Sequence, residues 1–272
     1  MLGAVYGDII GSWYEAYATK DYNFPFNSKS KFTDDTVMTT AVCKAILEND
    51  SDITKNQLKK RGFEYAVRYK QYYSYFPYAG YGMMFAKWAE DKSRMKIQRS
   101  YGNGGAMRAV PIGYAYNSEK QILLQAEASC YYTHNCKEAI KGTQAVAMAV
   151  FLARNGENKN NIRKYITKKF RYDLDYTIDD IKPAYSFGSE TEYSVPPSIV
   201  AFLESHDYES AVRNAVSLGG DADTMACVTG GIAEAFYKDI PEDIKNFCWL
   251  KIDYTIKSVA LEFCHKYNIK YN

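Results

Sequence analysis

The chain has 272 residues, 47% of them hydrophobic and 24% charged, with 34 basic against 32 acidic side chains and a formal net charge of +2. It is long enough to bury a sizeable core, and its composition is ordinary for a globular protein. The balanced charge offers no basic field for nucleic acid or for an anionic membrane surface, so neither is an expected partner.

The opening stretch MLGAVYGDIIGSWYE lacks a basic n-region and carries Asp8 inside its apolar run. It therefore reads as a helix over 2–18 rather than as a secretory signal. Gly3, Gly7 and Gly11 fall on one face of that helix, a register that lets another backbone approach closely. Thr33 to Asn49 reads as the next helix, with Val37, Ala41, Ile46 and Leu47 facing inward. Residues 56–73 follow, then a break at Tyr78-Ala-Gly-Tyr-Gly82 and a short helix over 83–91. Tyr65, Tyr69, Tyr72, Tyr73, Tyr75, Tyr78 and Tyr81 cluster here, and core packing accounts for them more simply than base stacking does.

A second break, Tyr101-Gly-Asn-Gly-Gly105, opens into a helix over 106–116 with a kink expected at Pro111. Ser118 caps a run to about Tyr132, and Asn135 caps another that ends near Arg154. Residues 155–161 look like a linker, and the stretch 171–195, with Asp173, Asp175, Asp179 and Asp180, looks like a loop. Pro196 and Pro197 then start a helix to Ser205, Asp207 one to Leu218, Asp221 one to Tyr237, and a last helix covers 243–268. Alternating strand patterns and internal repeats are absent. The fold expected is a single all-α domain over 1–272 of roughly ten or more helices.

The longest clean apolar run, Ala145 to Ala153, is too short to span a bilayer. The six cysteines form no C-x-x-C pair, and without a secretory signal they read as reduced core thiols in a cytoplasmic protein.

Two helix starts share one chemistry. Thr33-Asp34-Asp35 places two carboxylates and a hydroxyl at one helix entrance, and Asp221, Asp223 and Thr224, after Gly219-Gly220, repeat the pattern at another. Capping and the helix dipole explain each start alone. If the two entrances converge, they form an all-oxygen cluster of the kind that holds hard cations such as Mg²⁺, and that suits Mn²⁺. Four carboxylates are enough to bridge a pair of ions.

The segments GDIIGSWYE, FTDDT, GYG, SYGNGGAMRAVP, YYTH and GGDADT occur in that order. Together they resemble the ADP-ribosylglycohydrolases, the family that includes dinitrogenase-reductase-activating glycohydrolase, over about residues 3 to 238. The resemblance implies an all-α fold with two divalent ions, Mg²⁺ or alternatively Mn²⁺, in a central cleft. It also implies cleavage of the bond between ADP-ribose and an acceptor. By the same resemblance Thr33, Asp34, Asp35, Asp221, Asp223 and Thr224 match metal ligands. Ser100, Gly102, Asn103 and Gly104 match an ADP-ribose loop whose backbone N–H groups suit a diphosphate. Gly80 and Gly82 match a second phosphate-side loop, and His134 a histidine lining the ribose and phosphate cleft.

Glu15 matches a glutamate that approaches the scissile bond in some members, whereas others use a mid-chain aspartate. Here Asp91 is the aspartate near that region, without a motif around it. The implied mechanism has Glu15, Asp34 or Asp35 exchanging a proton with the attacking water or the leaving group. The acceptor could be a protein side chain such as arginine or serine, the acetyl group of O-acetyl-ADP-ribose, or another small molecule. The rim at Tyr72–Tyr81 and the 173–180 segment are expected to select it. Rival readings are a catalytically silent ADP-ribose binder on the same scaffold and a Mg²⁺-dependent phosphohydrolase. Arg108 and Asp8 read as structural.

Overall fold

The glycines at 3, 7 and 11 decide how the first helix packs. In the computed structural model, which describes residues 1–270, a Cβ at Gly3 would lie 2.5 Å from the carbonyl oxygen of Gly230, one at Gly7 2.0 Å from that of Ala226, and one at Gly11 2.3 Å from that of Ala222. Helix α1 (Leu2–Ala16) thus lies backbone to backbone on α12 (Ala222–Tyr237). The close approach expected from the glycine register is present, and it defines the centre of the molecule.

The described residues form fourteen α-helices and two 3₁₀ turns with no strand, which makes the fold an all-α single domain. After α1 come α2 (Asp34–Glu48), α3 (Leu58–Tyr75) and α4 (Met83–Glu90). The middle of the chain forms α5 (Val110–Ala115), α6 (Glu119–Cys130), α7 (Lys137–Arg154) and α8 (Lys159–Phe170). The remainder forms α9 (Ile178–Ile181), α10 (Thr191–Glu204), α11 (Tyr208–Val216), α12, α13 (Glu242–Trp249) and α14 (Tyr254–Lys266). Helix α12 is buried along nearly its whole length and is packed by α1, α7, α10 and α11. Among the described residues no helix is long and apolar enough to cross a membrane.

Several boundaries differ from the sequence expectation for identifiable reasons. Pro111 stands in the first turn of α5 instead of kinking a longer helix, because the first turn leaves its N–H groups unpaired in any case. Cys136, not Asn135, precedes α7. The linker expected over 155–161 ends early, at Asn158, which caps α8 (Lys159–Phe170); Ile162, Ile166 and Phe170 are buried there at one-turn spacing. The 171–195 stretch holds α9, started by a Thr177–Asp180 capping box.

Helix α10 begins at Thr191 and carries Pro196 and Pro197 inside it. Pro197 has no N–H to offer the carbonyl of Tyr193, and the Tyr185 hydroxyl donates to that carbonyl instead, at 2.9 Å. The expected last helix is two, broken at 250–253, with Asp253 accepting the Thr255 N–H at 2.7 Å to start α14.

The tyrosine cluster is mainly packing. Tyr65, Tyr69, Tyr72 and Tyr73 are buried along one face of α3. Two of these rings stack under buried guanidinium groups, Arg61 over Tyr65 at 4.3 Å and Arg108 over Tyr69 at 4.1 Å. All six cysteines are free thiols.

Candidate active site

Asp8 organises the acidic end of the site from the middle of α1. Its Oδ2 accepts the backbone N–H groups of Thr33 at 2.9 Å and Thr36 at 3.1 Å, and its Oδ1 accepts the Thr33 hydroxyl at 2.7 Å. The Thr36 hydroxyl also donates to it. A carboxylate from α1 therefore caps the N-terminus of α2, which fixes where Asp34 and Asp35 begin. Thr33 also caps its own helix, accepting the Asp35 N–H at 3.3 Å. The α1–α12 contact brings Asp221, at the N-cap of α12, and Asp223, in its first turn, to the same place.

Two carboxylate groups result, and they share one member. Oxygens of Asp8, Asp35 and Asp223 lie within 4.8 Å of one another, and so do those of Glu15, Asp221 and Asp223. The Thr224 hydroxyl donates to Asp35 Oδ2 at 3.3 Å. The other Asp35 oxygen, Oδ1, is buried without a hydrogen-bond partner. Among the described residues no lysine, arginine or histidine forms an ion pair with any of these acids.

The electrostatic consequence is severe for the ion-free protein. Burial, then the hydrogen-bonded environment of Thr33 and Thr36 acting against it, leaves Asp8 at about 6. Burial and the charges of Asp8 and Asp221 push Asp34 up to about 8. Burial first and neighbouring carboxylates second hold Asp35 and Asp223 well above the usual range. Glu15, exposed at the mouth, is raised by desolvation and then by Asp221. An uncompensated, all-oxygen cluster with an orphaned buried carboxylate oxygen is what a hard divalent cation satisfies. Asp223 stands where it can belong to two ions.

A cleft of about 340 Å³ opens from this cluster. Its walls include the acids Glu15, Asp34, Asp35, Asp221 and Asp223 with Thr224, and, from the segments around the glycine loop, Ser100, Gly102, Asn103, Gly104, Arg108 and His134. Gly80 and Gly82 form the rim, where Gly80 has φ +108° and lies so close that a Cβ would sit 3.4 Å from Asp34 Oδ1. Asn103 joins the two sets, its Nδ2 donating to Asp221 Oδ2 at 2.8 Å. The backbone of this loop is less free than its sequence suggests. The Gly102 N–H is engaged by Ser100 Oγ at 3.2 Å and the Asn103 N–H by the Ser189 carbonyl at 2.8 Å. His134 is set beside the loop by pairing of 98–100 with 132–135, including Ser100 N–H to the Thr133 carbonyl at 3.3 Å.

Not every residue singled out from the sequence faces the cleft. Thr33 lies behind it with its hydroxyl held by Asp8. Asp34 lines the cleft but belongs to neither tight carboxylate group. Asp91 ends α4 and pairs with Lys96 at 2.8 Å, away from the site. The 173–180 segment does not line the cleft, and Asp180 is occupied as a cap. Conversely, Met83, Met84, Phe85, Gln98, Phe187 and Ser189 line it without any sequence signal. Asp8 did have one: it is a charge inside an otherwise apolar helix face, the pattern of a buried carboxylate with dedicated partners.

The profile of the ADP-ribosylglycohydrolase family matches residues 1–267. The chain belongs to the ADP-ribosylglycohydrolase family. It is similar to human ADP-ribosylhydrolase ARH3, at 27% identity over 325 aligned positions covering 91% of this chain and 87% of that protein. A putative ADP-ribosyl glycohydrolase L543 of Acanthamoeba polyphaga mimivirus is also 27% identical, over 89% of this chain and 87% of its own. Among solved structures, a chain described as an ADP-ribosylglycohydrolase-related protein complex matches with a TM-score of 0.73. It covers 99% of this chain and 96% of its own at 22% identity, a likeness of fold. Family membership and the order of the site segments thus agree.

Proposed function

We propose that this family member is a divalent-cation-dependent hydrolase that cleaves the glycosidic bond between ADP-ribose and an acceptor. The observation that carries the reading is the pair of carboxylate groups sharing Asp223, placed at a cleft whose walls also include the Gly102–Gly104 loop with Arg108 and His134. Asp8, Asp35, Asp221 and Asp223, with Glu15 at the mouth and the hydroxyl of Thr224, would hold two Mg²⁺, or Mn²⁺ in their place. Bound there, the ions would orient the ribose hydroxyls and lower the pKa of a water.

The chain's own groups divide the remaining work. The loop at Ser100–Gly104 and the ring of His134 seat the diphosphate and its adjoining ribose, while Gly80 and Gly82 leave the rim open. Asn103, tied to Asp221, keeps the loop in register with the acids. The oxygen of water joins the anomeric carbon as the bond from that carbon to the acceptor breaks, through an oxocarbenium-like centre. Glu15, its carboxyl raised beside Asp221, takes the water's proton or gives one to the departing acceptor. Asp34, raised to about 8, is the second group suited to that exchange.

The test is release of free ADP-ribose from arginine-linked, serine-linked and O-acetyl substrates in the presence of Mg²⁺, with Asp34→Ala and Asp223→Ala alongside. Release from one linkage that is lost in both variants is the expected result and names the acceptor. Release that survives in Asp223→Ala refutes the mechanism. Binding of ADP-ribose with silence across the panel would favour a silent binder, and phosphate release from nucleotides a phosphohydrolase.

A further inference from the structure

Arg108 is a buried cation without a carboxylate. Its side chain is fully buried, stacked 4.1 Å from the centre of the Tyr69 ring. Among the described residues it forms no ion pair, and its Nε and Nη1 have no hydrogen-bond partner. The one nitrogen that is engaged, Nη2, reaches the Thr133 hydroxyl at 2.6 Å, the Ser129 carbonyl at 3.3 Å and His134 Nδ1 at 3.4 Å. A guanidinium only donates, so Thr133 Oγ1 must accept from it and keeps its own proton to give. That hydroxyl lies 2.9 Å from His134 Nδ1. The guanidinium therefore faces Nδ1 as an obligate donor, with the Thr133 proton free to be given to the same nitrogen, and a proton on Nδ1 would point at the Arg108 cation.

We infer that Arg108 and Thr133 are positioning residues that hold His134 as the neutral tautomer protonated at Nε2, so that its ring presents a hydrogen-bond donor to an acceptor oxygen of the ligand. Nε2 is the nitrogen turned away from Arg108 and toward Gly104, where a Cβ would stand 2.9 Å from it, and both residues line the cleft. Burial first and the Arg108 charge second drive His134 well below the ordinary histidine range, which removes the imidazolium as an alternative. The neighbouring titratable groups do not oppose this. Burial pushes the thiols of Cys130 and Cys136 and the phenol of Tyr69 upward, so each stays uncharged. The ring is thereby a fixed donor at the anionic-ligand end of the cleft, chemistry that suits a phosphate or ribose oxygen. That the ligand is ADP-ribose rests on the proposed function, whereas the tautomer does not.

The decisive measurement is long-range ¹⁵N–¹H correlation of ¹⁵N-histidine-labelled protein. The chain has only three histidines, and His206→Gln and His265→Gln assign the spectrum. The expected result is a single neutral His134 ring with Nε2 protonated and Nδ1 shifted by an accepted hydrogen bond, unchanged between pH 7.5 and 5.5. A proton on Nδ1, or an imidazolium at pH 6, overturns the inference. Thr133→Val should shift Nδ1 toward the free-acceptor position and weaken ADP-ribose binding about tenfold, with Thr133→Ser restoring both. Arg108→Met should do the same and let the ring protonate within the range. Should that variant fail to fold, the Thr133 pair carries the test. A Thr133→Val protein with wild-type ring shifts refutes the relay whatever it binds. A wild-type ring with the expected tautomer but no ADP-ribose affinity upholds the relay and refutes the proposed substrate.

Discussion

Replacing Gly11 by alanine should damage the acidic site far more than the fold. An ideal Cβ at Gly11 lies 2.3 Å from the Ala222 carbonyl oxygen and 2.6 Å from the Asp223 Cα, whereas ordinary contacts begin at 3.4 Å. All of the opposing atoms are backbone, so no side chain can rotate away and α1 must separate from α12 by about an ångström near Asp223. Overpacking of this kind costs about 1–3 kcal/mol. Alanine's better helix propensity returns about 1 kcal/mol. The net loss of about 0–2 kcal/mol corresponds to a fall in Tm of at most roughly 8 °C in a chain of this size.

The same ångström is added to the spacing between Glu15, on α1, and Asp221 and Asp223, at the start of α12. Misplacement on that scale costs on the order of 10²-fold in a reaction, and it should weaken cation binding in parallel. The assay is a calorimetric titration with Mn²⁺ beside a thermal melt, with Gly82→Ala as the control, since nothing lies within 4 Å of a Cβ there. Gly11→Ala should melt at most a few degrees lower and bind the cation at least tenfold more weakly, while Gly82→Ala melts at or above wild type. Wild-type cation affinity in a folded Gly11→Ala protein would show that the glycine contact does not set the geometry of the acids.

Three further outcomes follow from the same structure. In ion-free protein Asp8 at about 6 and Asp34 at about 8, both from an ordinary 3.8, mean that the folded chain holds more protons than the unfolded chain between about pH 4 and 8. Stability therefore falls as pH rises through that window, by about 3 kcal/mol from Asp8 alone. The ion-free Tm should be lower at pH 8 than at pH 5.5, and Mg²⁺ should restore it at pH 8; a flat profile refutes the reading of an uncompensated cluster. Asp223→Asn, which removes the shared carboxylate, should abolish the cation-dependent rise in Tm yet melt higher than wild type at pH 8 without ions, and a lower melt would mean that Asp223 is chiefly structural. Tyr185→Phe should cost about 1 kcal/mol by stranding the Tyr193 carbonyl, and Pro197→Ala, which supplies an N–H to it, should cancel most of that loss in a double-mutant cycle; additive effects would show that Tyr185 is not the substitute donor.

Much of this site was legible because its parts are local. A Thr-Asp-Asp start, a Gly-Gly-Asp-Ala-Asp-Thr start and three glycines one turn apart each carry their meaning within a few residues, and helix geometry does the rest. What the sequence hid depends on contacts between distant segments. Asp8 reads as an isolated charge until α2 is known to start against it. The Tyr193 carbonyl that permits Pro197 inside α10 needs a hydroxyl from outside the helix. Helix α8 was obscured by lysine and asparagine, although Ile162, Ile166 and Phe170 do keep the one-turn period. The cleft-facing Met83, Met84 and Phe187 have no periodic or motif signal, because a rim is selected by what it binds and not by how it folds.

The two ends of the cleft belong to one electrostatic design. Asp34, Asp35, Asp221 and Asp223 stand at the N-termini of α2 and α12, where helix dipoles favour negative charge, but a dipole end offers only about half a unit of charge. Several buried carboxylates exceed that compensation, and the glycine contact between α1 and α12 prevents them from moving apart. Arg108 presents the opposite case, a buried cation whose neighbours are hydroxyl, carbonyl and neutral imidazole. Each end is left incomplete by the chain itself, one short of positive charge and the other short of negative. Under the proposed function, cations bound with the ribose hydroxyls of ADP-ribose would complete the acidic end, and its anionic diphosphate the end at Arg108.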